Sequence, residues 1–74
     1  MKKLTVAQIV GQTMRAHRTQ LGLSQDDFAD VIDMHRGYYS AIERGEKNIT
    51  LNTLRRVAAG LGVPMAALLT GADD

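Results

Sequence analysis

The 74-residue sequence contains no cysteine, which excludes disulfides and thiolate metal sites outright. No apolar run approaches the roughly 18 residues of a membrane span, and Met1-Lys2-Lys3 is not followed by a signal-peptide core. A soluble cytoplasmic protein is therefore expected. Histidine is scarce: His17 and His35 stand without a carboxylate cluster at ligand spacing, so neither metal nor cofactor is expected. Linkers, repeats and low-complexity segments are missing, as is any sustained period-2 alternation. The chain reads as one all-α domain over residues 1–74, with 1–4 and 71–74 expected to fray.

Hydrophobic residues at 45% against 23% charged argue for a folded globule. A domain this small buries only about 60% of the surface of its unfolded chain, so association with a second copy is a natural source of extra stability. The net charge of +1 conceals an uneven distribution. Lys2, Lys3, Arg15 and Arg18 occupy residues 1–24 without an acid, and Asp26, Asp27, Asp30 and Asp33 follow without a base. Arg36, Arg44, Lys47, Arg55 and Arg56 then outnumber Glu43 and Glu46. A near-neutral chain can thus still present a basic face.

Val6, Ile9, Val10, Met14 and Leu21 recur at helical spacing and predict a first helix over about 6–21. Thr5-Val6-Ala7-Gln8 is a capping box, Leu4 and Ile9 stand at staple positions, and Gly22 suits the helix end. Ser24 is the predicted cap of a second helix, with Leu23 and Phe28 as staple and Asp26 and Asp27 favourable in its first turn. A third helix is expected over 35–44, ending at Gly45. Thr50 caps a fourth that stops at Gly62, with Ile49 and Leu54 as staple. Pro64 at a first-turn position opens a short fifth helix from Met65 to about Thr70, closed by Gly71.

The informative stretch is Gln25–Gly45, QDDFADVIDMHRGYYSAIERG. Two short helices separated by only about three residues must cross steeply, and the crossing needs a small residue where they touch. Ala29 fits that place, with Phe28, Ile32, Met34, Tyr39 and Ile42 as the apolar face. The first half of the third helix is then left protruding with His35, Arg36, Gly37, Tyr38 and Ala41 on its exposed side. A helix presented this way fits the major groove of B-DNA.

With LGLSQDDFA, the turn, and YYSAIERGEKNITLNTLRRVAAGLGVPMAALL in place, the chain resembles the helix-turn-helix family of lambdoid phage repressors and Cro proteins. Within it, the small controller proteins of restriction–modification systems are closest in size. The resemblance covers about residues 10–70 and implies a five-helix, lambda-repressor-like DNA-binding domain. It implies base reading by His35, Arg36, Gly37, Tyr38 and Ala41, with Arg36 suited to guanine O6 and N7. It assigns phosphate contacts to Ser24, Gln25, Ser40, Arg44, Lys47 and Asn48. It also implies a structural salt bridge between Arg18 and Glu43.

Three positions depart from the family pattern. Asp33 replaces a turn glycine, which aspartate tolerates at modest cost. Gly37 removes a side chain from a reading position. Tyr39 stands where an aliphatic residue is usual, so its hydroxyl needs water or a partner. Other features have plain structural readings: His17 as a partly buried side chain, Asp26, Asp27 and Asp30 as a solvated helix start, and Asn48-Ile49-Thr50 as a chance sequon.

The expected function is a homodimeric, sequence-specific transcriptional regulator, autoregulatory and without enzymatic activity. Double-stranded DNA is its partner, and Val63, Met65, Leu68 and Leu69 are its candidate dimer contacts. An antitoxin-type repressor or a protein-interaction adaptor remains open as an alternative. An antitoxin is expected to carry a toxin-holding segment, whereas only Gly71–Asp74 follow the fifth helix. An adaptor is expected to lose Gln25 and the arginines of the third helix. With no sensor domain expected, control falls to protein concentration.

Overall fold

Side-chain caps set where the helices begin. In the computed structural model, which describes residues 3–72, Thr5 and Gln8 form a reciprocal capping box: the Gln8 amide N–H donates to Thr5 Oγ1 at 3.1 Å, and the Thr5 N–H donates to Gln8 Oε1 at 2.9 Å. That box opens α1, Val6–Gln20. Ser24 accepts from the Asp27 N–H and opens α2, Gln25–Val31. Thr50 accepts from the Thr53 N–H and opens α4, Leu51–Leu61. Between them α3 spans Arg36–Glu43, capped by the His35 imidazole, and α5, Met65–Leu68, completes the five helices. Among the described residues none of these is long and apolar enough to cross a membrane.

The ends share one chemistry. After α1, α2, α3 and α4 the chain closes with paired bonds from successive amides to carbonyls three and five residues back, as in Met34 N–H to Ala29 O at 2.8 Å and Asp33 N–H to Asp30 O at 3.1 Å. The motif needs a left-handed residue, supplied by Gly22, Gly45 and Gly62 in three cases and by Asp33, φ 53°, in the fourth. Aspartate thus holds the turn between α2 and α3 as anticipated.

The C-terminus departs from expectation. Pro64 is the N-cap of α5 rather than a first-turn residue, because its ψ of 152° is extended. The helix ends at Leu68 instead of near Thr70, and Leu69–Ala72 form turns with Gly71 at positive φ. Leu4 is exposed, so its staple is weaker than that of Leu23 or Ile49, both packed on the core. Of the termini expected to fray, Met1, Lys2, Asp73 and Asp74 lie outside the described residues.

One core joins the helices: Val10 and Met14 of α1, Phe28 and Ala29 of α2, Tyr39 and Ile42 of α3, Leu54, Val57, Ala58 and Leu61 of α4, Leu68 of α5, and Ile32. Two helix-interior glycines allow close approach, Gly11 to the backbone of α3 and Gly60 to the side chains of Ile32 and Phe28. A Cβ on Gly11 would collide with the Glu43 and Ile42 carbonyl oxygens, and one on Gly60 would collide with Ile32 Cγ2. So α1 seats directly on the end of α3, and α4 on the end of α2. This packing leaves the first half of α3 projecting.

Candidate nucleic-acid interface

The start of α3 is held outward by its opposite face. Phe28 and Tyr39 are fully buried with ring centroids 5.1 Å apart, and Ala29 is enclosed where α2 and α3 cross. Opposite them His35, Arg36, Gly37 and Tyr38 are exposed, Tyr38 at 39%. Ala41 does not share that face: it is only 7% exposed, which corrects the expectation of an exposed reading position.

Two exposed residues carry local duties. The His35 Nδ1 accepts from the Gly37 N–H at 3.2 Å, so the imidazole caps α3 while its far edge faces outward. The Arg36 guanidinium reaches back to α2, with Nη2 3.2 Å from Asp30 Oδ2 and Nη1 3.6 Å from Asp26 Oδ2. The hydrogen bond to Asp30 and the charges of Asp30 and Asp26 raise its already high pKa, so it is cationic at any working pH.

The expected phosphate-binding residues form two groups. At the end of α3, Arg44 donates to Ser40 Oγ at 2.6 Å and pairs with Glu46 through Nε at 2.7 Å; Lys47 and Asn48 follow, exposed. On the other side Ser24 caps α2, and Gln25 Nε2 donates to Glu43 Oε1 at 2.8 Å, which leaves one amide hydrogen of Gln25 uncommitted. Gln12, Arg15, Gln25 and Arg44 line one polar groove between these groups.

Arg18 and Glu43 meet beneath this surface. Nε lies 2.6 Å from Oε2 and Nη2 3.1 Å from Oε1, while Nη1 donates to the Leu23 carbonyl at 2.7 Å. Burial works against the Glu43 carboxylate, but the hydrogen bonds it accepts, led by that from Arg18, hold its pKa below the usual range. The hydrogen bonds that Arg18 donates to Glu43 correspondingly raise the Arg18 pKa. The Tyr39 hydroxyl is buried beside this pair without a partner in hydrogen-bonding geometry; burial, together with the adjacent Glu43 carboxylate, pushes its pKa far up. The bridge therefore locks α1 to α3 and also orients Gln25.

Arg56 has a structural duty that its place in the sequence does not reveal. From α4 its Nε donates to the Ile32 carbonyl at 2.8 Å and its Nη2 to the Asp33 carbonyl, clamping the turn that sets the angle between α2 and α3. Nothing separates Arg56 from its neighbour Arg55 in the sequence. Gly11 and Gly60 had a readable signal, since an isolated glycine inside a helix costs stability and asks for a packing reason. Of the expected dimer residues, Leu68 is fully buried and is thereby corrected, Val63 and Met65 are half-buried against the core, and Leu69 is 41% exposed. More open apolar surface lies at Leu51 and Val6, 75% and 55% exposed, which line one groove with Leu69, Ile49 and Leu54.

The helix-turn-helix family pattern matches residues 14–68. The control protein C.MunI of Mycoplasma sp is 39% identical over 56 residues, 76% of each chain. Among solved structures, the restriction–modification controller protein C.AhdI from Aeromonas hydrophila superposes with a TM-score of 0.80 at 32% identity, over 84% of this chain and 94% of that one. The controller protein C.Esp1396I, solved as a tetramer with its natural 35 base-pair operator, superposes with a TM-score of 0.81 at 25% identity, over 96% and 93%. On the match to its pattern and on the likeness to these controller proteins, the chain belongs to the helix-turn-helix family.

Proposed function

We propose that the chain is a sequence-specific DNA-binding transcriptional regulator that grips a pseudo-palindromic operator as a homodimer, with α3 in the major groove. The observation that carries this reading is the projecting start of α3. Four consecutive exposed residues, His35 to Tyr38, are presented by a fully packed opposite face, with the donors Arg44, Lys47, Asn48 and Gln25 on both flanks. Arg36 is the principal base reader, because a guanidinium can bond guanine O6 and N7 together. Ser24, Gln25, Ser40, Arg44, Lys47 and Asn48 are the phosphate contacts. The C.Esp1396I tetramer on its operator supports action as an oligomer. Two recognition helices in successive grooves would sit about 34 Å apart. The regulator, bacterial or phage-encoded, acts in the cytoplasm and on its own gene.

The groove around Leu69, Leu51 and Val6 is the proposed seat of the second copy, in place of the buried Leu68. Sedimentation of the wild type and Leu51→Asp tests it: dimer for the first and monomer for the second support the assignment, and a dimer in both contradicts it. DNA binding is tested by anisotropy titration of a labelled duplex from upstream of the gene against a scrambled duplex at two salt concentrations. Tight, salt-sensitive binding of the upstream duplex supports autoregulation; equal weak binding of both contradicts it.

A further inference from the structure

Arg36 does not face outward unaccompanied. Asp26 and Asp30, one turn apart on α2, both aim a carboxylate oxygen at its η nitrogens, and all three side chains are about 60% exposed, at 59, 62 and 61%. We propose that Asp30, assisted by Asp26, is a specificity-setting residue: by pairing with Arg36 it withholds that guanidinium from general phosphate binding and reserves it for base edges. This inference rests on the DNA-reading function proposed above.

Charge separates the two kinds of ligand. A phosphate brings a full negative charge to a guanidinium already flanked by two carboxylates, and like charges at such range repel. A guanine edge brings only the partial charges of O6 and N7 and escapes most of that repulsion. It can be met by Nε–H and the second Nη2 hydrogen, since a guanidinium carries five donors and the acids need only two. The acids therefore weaken non-specific contacts more than specific ones. Non-specific affinity comes almost entirely from counterions released as phosphates are neutralised, and an arginine already neutralised releases none.

Asp30 is the better position to test, because it lies beyond the first turn of α2, where an acid supports the helix start. Asp27 is the matched control: it is exposed on the same helix, and among the described residues it forms no ion pair with Arg36. A preferred duplex is first selected from a randomised pool with the wild-type chain, and a scrambled version of it serves as non-specific DNA. Binding of both is measured by anisotropy between about 50 and 200 mM salt, with thermal melting to verify folding. Asp30→Asn is expected to bind the scrambled duplex roughly tenfold tighter at low salt, with a log–log salt slope steeper by about 0.9, and to lose discrimination by a similar factor. Asp27→Asn changes scrambled-duplex binding by less than about twofold, and in an Arg36→Ala background Asp30→Asn brings no gain. The inference is overturned if Asp30→Asn leaves scrambled binding and slope unchanged. It is equally overturned if the gain survives without Arg36 or is matched by Asp27→Asn. A wild-type chain that enriches no sequence removes the underlying reading, and this inference with it.

Discussion

Two arginine–carboxylate pairs sit at opposite ends of α3, and the same chemistry serves opposite purposes in them. At the C-terminal end Arg18 and Glu43 are shut away from water, bidentate, with the remaining donors and acceptors shared with Leu23 and Gln25. At the N-terminal end Arg36 touches Asp30 and Asp26 in open solvent. A buried pair is costly to break because the abandoned charge cannot return to water, whereas the members of an exposed pair stay hydrated and cost little to separate. The buried pair makes α3 a rigid lever; the exposed pair leaves part of the Arg36 guanidinium open at its tip. Burial, not partner identity, divides structure from recognition.

Breaking the buried pair has the largest expected effect. Glu43→Ala strands Arg18 and releases Gln25, and chemical denaturation is expected to show a loss of about 3–5 kcal/mol. A loss below about 1 kcal/mol would mean the pair is effectively solvated. Acid sharpens the same point. The folded state lowers the Glu43 pKa, so its stabilisation is complete above the unfolded carboxylate value of about 4.3 and is lost as pH falls through the lower folded value. Denaturation midpoints should therefore fall below about pH 4, and that fall should shrink in Glu43→Gln.

The exposed pair behaves differently. Arg36→Ala is expected to leave the melting temperature unchanged while weakening binding to the preferred duplex roughly ten- to hundredfold and relaxing preference at one position per half-site. A lowered melting temperature with intact binding would reverse the assignment. The smallest effect concerns the hydroxyl beside the buried pair. Tyr39→Phe removes a buried hydroxyl that has no partner in hydrogen-bonding geometry while keeping the ring on Phe28, and should raise stability by about 1 kcal/mol. Destabilisation by as much would show that the hydroxyl is satisfied in solution.

Legibility followed the range of the interaction. Thr5, Ser24 and Thr50 were readable as caps because capping is settled within four residues, and Asp33 as a left-handed turn residue because its backbone choice is local. The projection of α3 was readable because a turn of so few residues forces a steep crossing. What escaped depends on partners distant in the chain. The duty of Arg56 is defined by carbonyls 23 and 24 residues away. Leu68 reads as surplus apolar surface until α5 folds back on α1 and α4, where it becomes core. Ala41 reads as exposed from its spacing along α3, yet it is buried once the helices are packed. The pairing of Arg36 with α2 was not legible either, since it depends on how steeply two helices cross.

Operator recognition as proposed requires α3 to enter the major groove through Arg36. Methylation interference on the selected duplex tests this directly, because a methyl on guanine N7 blocks the major-groove edge alone. Interference is expected at guanines in two clusters about one helical turn apart, and it should disappear at those positions with Arg36→Ala. Binding indifferent to N7 methylation, or an interference pattern that Arg36→Ala leaves unchanged, would contradict it.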